Sequence, residues 1–351
     1  MFGFQSRIVR KMDSSERRQV ESLLKRHGLI FEDDPDCTVL IEDENEKIIA
    51  TASLKDNIVK MVAIDPEWQE AGLSGTVISS VLQYARENRI FHLFIYTKPD
   101  MAEKFEFMGF SELARTGSVV LMEAGQPSVS DYKGMLASCR FDSKTAPFGA
   151  IVVNCNPFTL GHRYLIETAA SRCGGLYVIV VQEDASVFPF TDRIKLVREG
   201  TADIPNVRVI PSGNYAVSRA TFPTYFLKER RTESVSATQA ELDATLFAKL
   251  FVPELSIKTR FVGTEPFCPT TSIYNSAMKK ILPIYGVDVI EIQRVEDSEG
   301  IAISASRVRD AIKNSDTDLL AKLLPKVTLD YLSSYEGRLI IDKIRGEPAG
   351  N

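Results

Sequence analysis

Seven consecutive residues, Asn156, Pro157, Phe158, Thr159, Leu160, Gly161 and His162, carry the densest chemistry in the sequence. They separate an apolar, strand-like run from a helix-like run. Pro157 has no N–H to continue a ladder, so it ends the strand. Thr159 is a good helix N-cap, which puts Leu160, Gly161 and His162 in the first turn. The free N–H groups of a first turn and the helix dipole together attract an anion. Gly161 leaves room for a phosphate or ribose against the backbone, and His162 can aim a ring N–H at the same anion. A phosphoryl group being displaced gains charge on its oxygens. Loss of one fixed donor there costs about 3 kcal/mol of barrier. His162 is the only histidine in residues 148–351.

A second cluster, Ile303, Ser304, Ala305, Ser306, Arg307, Val308 and Arg309, opens another helix. Ser304 is the expected N-cap. Ser306 and Arg309 stand three apart and share a face, whereas Val308 and Ile312 form the core stripe. A cap hydroxyl, a first-turn hydroxyl and an arginine suit the β and γ phosphates of a nucleotide. Between the clusters lie Val262, Gly263, Thr264, Glu265 and Pro266, directly after a strand. Gly263 permits close approach of a ligand, and backbone groups there can read an adenine edge. The rival phosphate patterns GxxxxGK and GxSxG are missing, as is GxGxxG in residues 148–351.

Two helix starts share one nucleotide only if a parallel sheet brings them to a common edge. The order of elements supplies such a sheet. A near-continuous apolar strand at 150–154 is followed by a helix at 160–173, a buried strand at 176–181, a helix at 192–201 and a strand at 207–211. This βαβαβ order predicts a doubly wound, Rossmann-like parallel sheet. Further strands are expected at 259–262 and 288–292, with helices at 238–250, 273–281, 305–314 and 319–323.

Residues 1–125 read as a separate α+β domain. Asp13 and Glu16 form a capping-box pattern, and the helix they open stops at Gly28. Strands are expected at 38–42, 48–54, 58–64, 92–97 and 118–123, and helices at 74–88 and 102–108. Residues 126–147 contain Pro127, Gly134 and Pro147 and little apolar periodicity, so they read as a connector. The fold class is thus α/β: an α+β domain at 1–125, then a doubly wound parallel-sheet domain at 148–351.

Composition narrows the function classes. The chain has 351 residues, 44% hydrophobic and 25% charged, enough for two globular domains. A net charge of -5 argues against nucleic-acid or membrane-surface partners. No apolar run is long enough to span a bilayer, and the first twelve residues lack the apolar core of a signal peptide. The five cysteines form no CxxC pair, so reduced thiols in a cytoplasm are expected, without a zinc site.

The TxGH-type motif at Thr159–His162 and the ISSTxxR-like motif at residues 303–309 resemble the nucleotidyltransferase superfamily. Thr159 stands at the variable first position, and Ala305-Ser306 stands where Ser-Thr is common. Three further segments extend the resemblance to the [citrate (pro-3S)-lyase] ligase family: residues 188–193, 218–227 and 263–266. The resemblance covers essentially the whole chain. It implies that ATP and acetate give acetyl-adenylate and pyrophosphate. The acetyl group then passes to the thiol of the prosthetic group on the citrate lyase acyl carrier subunit. His162, Ser306 and Arg309 would be catalytic. Asn156, Pro157, Phe158, Thr159, Gly161, Gly263, Glu265, Ser304, Arg193 and Arg219 would bind ATP. Mg2+ would be held mainly by phosphate oxygens, with no metal ligands from the protein.

The first domain resembles the GNAT acetyltransferases. Gln69, Glu70, Ala71, Gly72, Leu73 and Ser74 match their Q/RxxGxG/A pyrophosphate loop, with Ser74 at the final small position. Gln69, Gly72 and Ser74 are therefore expected to hold a pantetheine arm. Phe105 stands where a tyrosine usually acts as general acid, so proton donation there is lost. Two other functions fit the same motifs. One is an adenylyltransferase of the pantetheine-phosphate or nicotinate-mononucleotide type. The other is an N-acetyltransferase with a regulatory nucleotide site.

Overall fold

A computed structural model of the protein describes residues 6–32, 35–221, 233–265 and 269–346. The chain divides into two compact units, Met1–Asp131 and Tyr132–Asn351.

The first unit is built on a seven-stranded sheet. Its strands are β1 (Ser6–Val9), β2 (Cys37–Glu42), β3 (Ile48–Lys55), β4 (Ile58–Ile64), β5 (His92–Thr97), β6 (Ser111–Arg115) and β7 (Val120–Gly125). They lie in the order β1-β2-β3-β4-β5-β7-β6. All neighbours are antiparallel except β4 and β5, which run parallel over Ile58↔Phe94 and Val59↔Ile95. Helices α1 (Ser14–Arg26), α2 (Leu73–Glu87) and α3 (Ala102–Phe107) complete the unit. Strand alternation sorts the core onto two faces. Val39 and Ile41 pack with Val77, Ile78 and Val81 of α2, whereas Leu40 packs with Val20, Leu23 and Leu24 of α1. The Asp13–Glu16 capping box forms as expected. Strands β1 and β6 were not foreseen, because SRIV and SELAR mix charge with too few apolar positions to show a period.

The second unit holds a five-stranded sheet, β8 (Phe148–Val153), β9 (Gly175–Val180), β10 (Val207–Pro211), β11 (Ile257–Gly263) and β12 (Asp288–Ile292). Every neighbour pair is parallel, in the order β10-β9-β8-β11-β12. Strand order therefore reverses between β8 and β11, which makes their carboxyl ends a topological switch point. All six residues of β9 are buried, the mark of a parallel strand covered on both faces.

Helix α4 (Val129–Ser138) runs across the boundary, and eight further helices lie in this unit among the described residues: α5 (Leu160–Ala170), α6 (Phe190–Glu199), α7 (Glu233–Leu255), α8 (Pro269–Ile281), α9 (Ala305–Lys313), α10 (Thr317–Leu323), α11 (Lys326–Leu332) and α12 (Tyr335–Arg345). Helices α11 and α12 were not foreseen. Ser334 caps α12 and Gly346 ends it, so its local signals were present.

The stretch expected as a connector is ordered structure. It contains α4 and a 3-10 turn at Ser143–Thr145, and the boundary between units falls at Asp131 and Tyr132. Aromatic anchors hold it. The Tyr132 hydroxyl donates to the Pro211 carbonyl at 2.8 Å, and its ring packs on Tyr215 and Phe251. Phe141 stacks on Phe148 and Tyr177. Single anchors of this kind leave no periodic trace in a sequence.

Candidate active site

The carboxyl ends of β8 and β11 open onto a cavity of about 720 Å³, within the usual range for small-molecule sites. The two predicted helix starts meet there. Thr159 caps α5: its Oγ1 accepts from the His162 N–H at 3.3 Å. In return the Thr159 backbone N–H donates to His162 Nδ1 at 3.1 Å. A backbone N–H only donates, so Nδ1 is unprotonated, and this hydrogen bond assigns the ring proton to Nε2. Burial first, and the Arg294 guanidinium second, push the imidazole pKa down from 6.5 to about 4. His162 therefore lines the cavity as a neutral donor at pH 7.

Ser304 caps α9, accepting from the Arg307 N–H at 3.3 Å. Arg309 is half-buried and reaches back across the sheet edge. Its Nη1 donates to the Asn156 carbonyl at 2.6 Å, and its Nη2 donates to Ser306 Oγ at 3.1 Å. The contact between the two starts also explains Gly161. A Cβ there would lie 2.8 Å from the Ile303 carbonyl oxygen, so glycine admits the α9 lead-in as well as leaving the first-turn backbone open.

Nine of the thirteen residues expected around the nucleotide line the cavity: Asn156, Thr159, Gly161, His162, Gly263, Glu265, Ser304, Ser306 and Arg309. The other four, expected to bind ATP, lie away from that lining. Pro157 is buried in the loop between β8 and α5. Phe158 is fully buried in the core, and its ring stacks with the His162 ring at a centroid distance of 6.2 Å. Arg193 is fully buried and spends its donors on the strand-end loops, accepted by the carbonyls of Phe188, Asn154, Val181 and Glu183 and by Asn154 Oδ1. Arg219 is exposed and bridges to Glu183 at 3.4 Å. Of the segments that carried the resemblance, residues 222–227 and Pro266 lie outside the described residues.

Other polar residues line the cavity without having been foreseen. Arg294, two residues past β12, donates to the Thr264 carbonyl at 2.8 Å and pairs with Glu265. Its position beyond a parallel strand end was the available signal. Arg260, Tyr274 and Asn275 line the cavity as well. Arg260 follows Lys258 and Thr259 in β11, so its type and place gave no sign that it is buried. Tyr274 and Asn275 sit on a helix face with no mark of their own.

A family model described as "Citrate lyase ligase C-terminal domain" matches residues 148–332. Proteins named [citrate [pro-3S]-lyase] ligase match nearly the whole chain. The Klebsiella pneumoniae protein is 39% identical over 93% of this chain and 95% of its own length. The Escherichia coli K12 protein is 37% identical over 93% of each. The chain belongs to the citrate lyase ligase family. It is thus an enzyme of the ligase class, and the cavity between β8 and β11 lies inside the segment that the family model covers.

Solved structures match the first third of the chain. They include Escherichia coli ElaA (TM-score 0.31, 11% identity, 35% of this chain and 99% of that one). An acyl-CoA N-acyltransferase from Pseudomonas aeruginosa has a TM-score of 0.32 at 11% identity, covering 35% and 100%. In this first unit Gly72 adopts φ 72°, a left-handed conformation suited to glycine, and opens α2 with no side-chain cap. Gln69 lies in the 3-10 turn before it and Ser74 in the first turn of α2. Phe105 is buried against Phe110.

Proposed function

We propose that the cavity of the second unit forms acetyl-adenylate from ATP and acetate, and that the acetyl group then passes to the prosthetic-group thiol of the citrate lyase acyl carrier subunit. The supporting observation is the meeting of two capped helix starts around one neutral imidazole donor. In this reading the α phosphate lies at Thr159, Gly161 and His162, and His162 Nε2–H donates to the oxygen that gains charge. Ser304, Ser306 and Arg309 hold the leaving pyrophosphate. Asn156, Gly263 and Glu265 complete the nucleotide site. An acetate oxygen attacks the α phosphorus as the bond to the β phosphate breaks. The thiol sulfur then attacks the acetyl carbon, AMP leaves, and the thiol proton is released.

Catalysis of this kind is positioning and charge stabilisation. Among the described residues no three His, Cys, Asp or Glu side chains cluster as a metal cage. Mg2+ would enter on the phosphate oxygens and neutralise their charge. The Gln69–Gly72–Ser74 turn of the first unit is the place for the carrier's pantetheine arm. Among the described residues no helix is long and apolar enough to cross a membrane.

The test is acetate-dependent exchange of labelled pyrophosphate into ATP. Exchange that requires acetate supports the reading. Exchange without acetate, or transfer of AMP to a phosphorylated acceptor, replaces it with a dinucleotide-forming activity.

A further inference from the structure

Arg260 is a buried charge that the nucleotide chemistry leaves unused. It lies on β11, and alternation sends its side chain to the face opposite Phe261, whose ring joins the core shared by α5 and α6. On its own face the guanidinium carbon stands 5.0 Å from the centroid of the Phe247 ring of α7. Arg260 is 2% exposed, yet it lines the cavity. The guanidinium is hydrogen-bonded to the Tyr274 side chain, but its buried Nε and Nη1 have no hydrogen-bond partner among the described residues.

The neighbouring carboxylate does not saturate it. Asp243 Oδ1 accepts from the Val217 N–H at 2.8 Å, and Oδ2 accepts from the Tyr274 hydroxyl at 2.5 Å. Val217 itself is held at φ 48°, an outlier for a β-branched residue. A buried, charged donor without an acceptor is destabilising, and an incoming anion removes that penalty. Val152, Val217 and Met278 add apolar surface to the same cavity.

We infer that this recess is the acid subsite: Arg260 receives the acetate carboxylate, and Val152, Val217 and Met278 enclose the methyl group. The inference rests on the acetyl-adenylate reading above. One carboxylate oxygen is held by the guanidinium while the other faces the α phosphorus. No proton moves in the step, and pyrophosphate leaves with the electron pair of the broken bond. Selection of the acid follows from two physical features, a fixed cation for the carboxylate and a small apolar wall for the remainder.

The experiment measures pyrophosphate exchange in the full chain carrying Arg260→Lys or Arg260→Met, at varied acetate and varied ATP. The expected result is an acetate KM raised about tenfold or more with an ATP KM changed less than about twofold, the tenfold being the loss of one ion-pair contact. An unchanged acetate KM in a folded variant overturns the inference while leaving the acetyl-adenylate reading intact. Exchange by the unaltered chain that needs no acetate overturns both. If neither variant folds, the unaltered chain is crystallised with chloroacetate. Anomalous chlorine signal in the recess beside Arg260 supports the inference, and signal only elsewhere removes it.

Discussion

Arg193 and Arg260 are the two largest fully buried side chains among the described residues, and they have opposite surroundings. Arg193 sits behind the ends of β8 and β9 and donates to four backbone carbonyls and one amide oxygen. Arg260 sits on β11 with two of its nitrogens unpartnered among the described residues, and it borders the cavity. A guanidinium carries five N–H donors in a fixed fork. Where the protein supplies the acceptors, the residue is scaffold. Where it leaves buried donors without acceptors in a residue that borders a cavity, the residue is suited to a ligand. Burial alone does not separate the two; the inventory of acceptors does.

The largest effect that would break this comparison lies at Arg193. Replacing Arg193 with Met leaves its acceptors unpaired in the interior, and unfolding stability should fall by about 3–5 kcal/mol. Denaturant titration measures it. A variant of unchanged stability whose only defect is a raised ATP KM would make Arg193 a phosphate ligand after all. Arg260→Met removes two unsatisfied donors but also the cation beside buried Asp243, so its stability loss should be smaller than that of Arg193→Met.

A second large effect belongs to His162. His162→Ala should lower pyrophosphate exchange about 10²–10³-fold with the fold retained, and circular dichroism with steady-state rates would check both halves. A loss below tenfold would reduce the imidazole to a partner of the Thr159 cap. Thr159→Ala sharpens the point with a smaller change, about 1 kcal/mol of stability from the lost cap, read as a lowered melting midpoint.

The smallest effect concerns pH. The folded imidazole has a pKa near 4 against 6.5 for the ordinary side chain. Between those values the unfolded chain binds a proton that the folded chain does not. Stability therefore falls as pH drops from about 6.5 towards 4, and this contribution is constant above that window. His162→Asn should flatten that part of the stability–pH curve. An unchanged slope would mean that the ring titrates normally.

Much of the site was legible because its signals are local. The Thr159 and Ser304 caps, the third helical position of His162 and the pairing of Ser306 with Arg309 follow from rules that act within one turn. The βαβαβ order announced a parallel sheet and hence a binding edge. The burial of Phe158 was not legible because an aromatic in a loop gives no sign of which way it turns. The burial of Arg193 was not legible because its acceptors come from separate loops. Helix α4 was missed because Tyr132 and Phe141 are anchored by residues far along the chain.

The order of strands and helices, the two capped helix starts and the chemical character of their side chains were set by neighbours within a few residues, where propensity and capping operate. The tertiary structure alone decided that β11 lies beside β8, that Arg309 reaches the carbonyl of Asn156 across 153 residues, and that one buried arginine is saturated while another, bordering the cavity, is not. Those outcomes depend on which acceptors and which empty volume arrive from distant segments, and no periodicity along a chain encodes them.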